Sequence, residues 1–135
     1  MGIFEKIISV LTPKSYPKTE FGMDDMQFFL NLLRVCPKGS RLNTEQSEPE
    51  SFVKAFRPWS HRNQPETFEA NYYTIDEAFI AMAEKLMEND VLELDHHFSI
   101  SAPDGRGLCS SLDDFCIVNL ADDIKAKIKK QQANP

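Results

Sequence analysis

The stretch Val91-Leu92-Glu93-Leu94-Asp95-His96-His97-Phe98-Ser99-Ile100 divides by alternation into two sets. Leu92, Leu94, His96, Phe98 and Ile100 fall on one side, and Glu93, Asp95, His97 and Ser99 on the other. Successive side chains of a strand point to opposite faces, so this pattern predicts a half-buried strand over 91–100. Pro103-Asp104-Gly105 then supplies a turn signal, and the chain from about Arg106 to Ser110 is expected to return as the second arm of a hairpin. A further strand is predicted at 67–73, where Phe68, Ala70 and Tyr72 alternate with Glu69, Asn71 and Tyr73.

Helical spacing dominates elsewhere. Ile3, Phe4, Ile7, Ile8 and Leu11 share one face, and Pro13 closes that segment. Residues 12–21 read as a loop. Asp24 and Gln27 form a candidate capping pair for a helix that stops before Pro37. This helix is apolar nearly all round, so it is either the central core helix or one covered by another subunit. Residues 41–46 are polar and loop-like. Ser47 and Glu50 propose a second capping box, with Phe52, Val53 and Phe56 on the following short helix and an irregular loop over 59–65. Thr74 and Glu77 propose a third, opening a helix over about 75–89 whose core face is Ile75, Phe79, Met82, Ala83 and Leu86. From Ser111 onward, leading aspartates and trailing lysines suit the helix dipole, and one long helix to about 131 is favoured over a strand at 115–120 followed by a helix. The sum is an α+β chain: one globular domain over 1–135, with about five helices packed on a small sheet of about three strands, including one hairpin near 91–110.

At 135 residues the chain is long enough to bury a core, and its 41% hydrophobic content places it outside the disordered class. No apolar run is long enough to cross a bilayer, and the first residues resemble neither a secretory signal nor a myristoylation motif, so a cytoplasmic location is expected. The cysteines Cys36, Cys109 and Cys116 have no CxxC spacing, so they are expected to be reduced thiols.

The net charge of −6 is unevenly placed. Residues 66–123 carry fourteen acids and two bases (Lys85 and Arg106), whereas residues 124–135 carry four lysines and no acid. Nucleic acid and membrane surfaces are therefore not expected partners, because both require a contiguous basic surface. A basic protein is.

No nucleophile elbow, phosphate-cradling glycine loop or HExxH motif is present, and no catalytic residue, metal or cofactor is assigned. His96 and His97 diverge across a strand, which prevents them from sharing one metal without a bulge. Glu77, Glu84 and Glu88 lie on one predicted helix face, and Glu93, Asp95 and His97 on the solvent face of the predicted strand. Trp59, flanked by arginines, is a candidate hot-spot residue. These seven are the candidate partner-binding residues. The function they suggest is inhibition of a basic partner, such as a toxin domain, by an immunity or antitoxin-type protein with an acidic face. The alternatives are a small metal-dependent hydrolase using Asp95 and His97, or an adaptor subunit forming a homodimer through its apolar helix.

Overall fold

The structure is a computed structural model that describes residues 15–44, 49–62, 72–94 and 97–133. Among these residues five α-helices pack on a five-stranded antiparallel sheet. In chain order the elements are α1 (Tyr16–Phe21), α2 (Asp25–Val35), β1 (Ser40–Asn43), α3 (Glu50–Phe56), a 3-10 turn (Arg57–Trp59), β2 (Tyr72–Ile75), α4 (Glu77–Glu88), β3 (Phe98–Ser101), β4 (Gly107–Leu112), β5 (Ile117–Leu120) and α5 (Asp122–Ala133). The sheet order is β2-β1-β3-β4-β5.

The predicted 91–110 hairpin is present as β3 and β4. Gly105, at φ 92°, forms the turn, and its N–H donates to the Ala102 carbonyl at 2.8 Å. Strand structure begins at Phe98 rather than at Val91, although the alternation persists upstream, with Leu92 buried and Glu93 exposed. Asp95 and His96 lie outside the described residues, as do the predicted helix over 3–11, Ser47, and residues 67–71 of the predicted strand.

Three regions depart from the sequence reading. Residues 16–21 form α1 instead of a loop, because Pro17 occupies the first turn, where its missing N–H is harmless, and Gly22 closes the helix at φ 68°. Ser40-Arg41-Leu42-Asn43, read as a polar loop from Arg41, is the interior strand β1, paired on one side with β2 and on the other with β3. Its inward residues Ser40 and Leu42 are fully buried, and the Ser40 hydroxyl is satisfied by the Pro37 carbonyl at 2.6 Å. The long helix over 111–131 is instead the end of β4, a turn, β5, and then α5. Val118 packs inward while Ile117 and Asn119 are exposed, so a period of two wins over helical spacing there.

Side-chain caps mark the starts of α2 and α4. The Asp24 carboxylate accepts the Gln27 N–H at 2.8 Å, as expected for α2. For α4 the cap is Asp76, accepting from Phe79 N–H at 2.8 Å, and not Thr74. Thr74 and Ile75 are held in β2, where Ile75 is buried opposite Ser40. α2 is the central core helix: Phe28, Phe29, Leu32 and Leu33 are fully buried, and Leu30 nearly so. Phe79 of α4 packs on Phe56 at 4.4 Å between ring centroids, which joins α3 to the same core.

Candidate acidic interaction site

The acidic face proposed for α4 is not uniform. Glu84 pairs with Arg34 of α2 at 3.1 Å, and Glu77 pairs with Lys38 in the turn after α2. Both carboxylates are therefore partly neutralised from within the molecule. Glu88 and Glu93 are exposed and form no ion pair among the described residues, and neither does the exposed Asp90 between them.

Asp90 breaks two local rules. The end of α4 is a Schellman closure: Asp90 N–H donates to the Met87 carbonyl at 3.0 Å and Val91 N–H to the Leu86 carbonyl at 2.9 Å. The closing residue must be left-handed, and Asp90 sits at φ 58°, a position where glycine is the least strained choice. Its carboxylate also lies at the negative end of the helix dipole, as does Glu88 in the last turn. A carboxylate there is unfavourable by about 0.3–1 kcal/mol.

A second acidic point is the turn between β4 and β5. Asp113, Asp114 and Phe115 have consecutive positive φ values of 57°, 53° and 65°. Left-handed backbone costs roughly 1–2 kcal/mol per residue, less for Asp, whose side chain hydrogen-bonds locally. Phe115 is the outlier, held in place because its buried ring packs on Phe98 at 5.4 Å and Phe28 at 6.2 Å. Its carbonyl also accepts the Tyr16 N–H at 2.8 Å. The core therefore fixes a strained turn that presents two exposed aspartates.

His97 links the two acidic segments. It ends the connection that leaves α4 through Asp90 and Glu93, and its Nδ1 accepts the Asp113 N–H at 3.2 Å. Trp59 stands apart from this site. Its Nε1–H donates to the Asp76 carboxylate at 3.0 Å, and its ring lies edge-on to Phe79 at 5.7 Å. Trp59 thus braces the start of α4, whereas Glu88 and Glu93 lie at and beyond its end. Asp90, Asp113 and Asp114 are not among the seven candidate binding residues, and Asp113 and Asp114 lead a predicted helix instead. Their signals were an acid directly after a helix end and an Asp-Asp pair between two apolar runs.

The thiols carry no activation. Burial pushes Cys36 up to about 12, with Lys127 opposing and Asp123 adding to the rise, and burial also raises Cys109. Among the described residues no group of three or more His, Cys, Asp and Glu side chains is placed to hold a metal ion. No described helix is long and apolar enough to cross a membrane.

The architecture is α+β with an antiparallel sheet. No protein-family model, curated protein or solved structure matches the chain.

Proposed function

We propose that this chain is a protein-binding domain that captures a basic protein through Glu88, Asp90, Glu93 and the Asp113–Asp114 turn, and acts as an inhibitor of the immunity or antitoxin type. The observation that carries this reading is Asp90. A carboxylate occupies a left-handed position at the negative end of a helix, where glycine would be more stable, and exposed Glu88 and Glu93, which form no ion pair among the described residues, flank it on both sides. Local rules broken without compensation among the described residues point to a functional position. Exposed surface carboxylates steer and speed association with a partner of opposite charge.

The test is affinity capture at low salt, comparing the unaltered chain with the Glu88→Lys/Glu93→Lys variant. The expected result is a basic protein held by the first, released by salt, and lost from the second. The captured protein is then assayed for activity with and without the chain. Retention of every partner by the variant would count against the acidic site, and unchanged activity would count against inhibition.

A further inference from the structure

The two edges of the sheet are finished differently. At β2, Ser60 forms an antiparallel bridge with Tyr73, and His61 N–H donates to the Tyr72 carbonyl at 2.7 Å. Among the described residues nothing covers β5 in this way. Ala121 N–H donates to the Leu108 carbonyl at 3.0 Å, which makes that pair hydrogen-bonded. Antiparallel ladders alternate, so Asn119 and Ile117 direct their main-chain groups at β4. Val118 and Leu120 therefore direct theirs outward.

Edge strands are normally guarded by lysine, proline, a bulge or a covering segment, because their unpaired main chain recruits other strands. Ile117-Val118-Asn119-Leu120 has neither a charge nor a proline. Ile117 is 54% exposed and lies opposite Leu112, which is 41% exposed. At the Gly107 end, a groove of about 300 Å³ runs past Ser110, Asn119 and Leu120. The charges lie beyond the strand, with exposed Asp113 and Asp114 before it and exposed Asp122 after it.

We propose that the open edge of β5 binds an extended segment of a partner protein as a sixth strand, uncharged across about four residues and basic at both ends. Main-chain hydrogen bonds to Val118 and Leu120 supply the pairing. Ile117 and Leu112 supply apolar contact, and the flanking aspartates select the ends. A second copy of this chain fits poorly, because antiparallel β5 strands would bring the Asp113–Asp114 turn of one toward Asp122 of the other. The inference rests on the reading above only in taking the partner to be basic.

The probe is a synthetic peptide with two arginines at each end and alternating valine and threonine between, titrated into the isotope-labelled chain and followed by amide NMR. Saturable shifts are expected at Val118 and Leu120. Affinity should fall about tenfold or more for the same peptide N-methylated at alternate residues, and likewise for Val118→Pro, which removes one outward N–H and no charge. If Val118→Pro does not fold, the methylated peptide decides the same point. Asp113→Asn/Asp114→Asn should weaken binding severalfold at the same amides, because asparagine keeps the left-handed turn. Shifts confined to 88–93 would overturn the edge site while leaving a basic partner for the acidic segment. Equal binding of a glutamate-ended peptide would overturn the choice of basic ends. A concentration-dependent dimer dissolved by Val118→Pro would assign the edge to a second copy, and absence of any saturable shift would overturn the proposal outright.

Discussion

The Nδ1 atom of His97 accepts the backbone N–H of Asp113 at 3.2 Å, tying the approach to β3 to the strained turn between β4 and β5. An acceptor at this point satisfies a main-chain donor that the left-handed turn would otherwise leave to solvent. Replacing His97 with alanine should lower stability by about 0.5–1.5 kcal/mol, the usual net worth of one hydrogen bond. Urea unfolding measures the loss, and amide exchange should quicken at Asp113 before it does in β1. Unchanged protection of that amide would show that the turn holds without the imidazole.

Asp90 supports the opposite experiment. Asp90→Gly relieves a left-handed side chain at φ 58° and removes a carboxylate from the negative end of α4. Both changes act in the same direction, so a gain of about 1 kcal/mol is expected. Thermal unfolding should show the rise. If the proposed function is right, the stabilised variant should also hold a basic partner more weakly, and a gain in both properties would remove Asp90 from the site.

Much of the fold could be read from local periodicity, and the departures have a common cause. The β3–β4 hairpin and the core face of α4 announce themselves because alternation and helical spacing coincide with burial. β1 does not, since three of its four residues are polar and its place inside the sheet comes from β2 and β3, which lie far along the chain. β5 was ambiguous because Ile117, Leu120 and Ile124 keep helical spacing while Val118 and Leu120 keep that of a strand. The acids of the site were visible as residues, but their state was not. Glu77 and Glu84 are neutralised by Lys38 and Arg34, from 39 and 50 positions away, which no local pattern records.

Trp59 gives a test that separates bracing from recognition. Asp76 accepts both the Phe79 N–H that caps α4 and the Trp59 indole N–H. Trp59→Phe deletes the indole donor and keeps a smaller ring against Phe56 and Phe79. A loss of about 1.5–3 kcal/mol is expected, the range for a bond to a charged group, measured by denaturant unfolding. Partner affinity should be unaffected in the folded variant, because the residue stands apart from the acidic site.

The cysteines should report the same turn chemically. Cys36 and Cys109 are buried, whereas Cys116 is half-buried and follows the left-handed residues. Burial raises the Cys116 thiol first, and the Asp113, Asp114 and Asp25 carboxylates add to the effect. At neutral pH the native chain should be alkylated by iodoacetamide at Cys116 alone, and slowly, because the thiolate is the reactive form. Asp113→Asn/Asp114→Asn should speed that reaction. Mass mapping of the labelled site checks both statements, and labelling of Cys36 without unfolding would contradict the packing around α2.

Acid should loosen the attachment of α5. A hydrogen bond from Lys125 holds the Glu20 carboxyl below its usual range, and the paired contact from Arg106 does the same for Asp123. Unfolded carboxylates titrate near about 4, so at any pH above that the folded form gains from both groups being ionised. The gain disappears as the pH falls through the lowered folded values, which puts the loss on the acid side of about pH 4. Both pairs are exposed, so salt should shrink the effect. The thermal midpoint followed from pH 7 downward should therefore drop more steeply for the unaltered chain than for Glu20→Gln/Asp123→Asn. That variant starts lower at neutral pH and has less to lose. Parallel curves would mean that other carboxylates govern the acid limb, and that Lys125 and Arg106 position α5 without making it sensitive to pH.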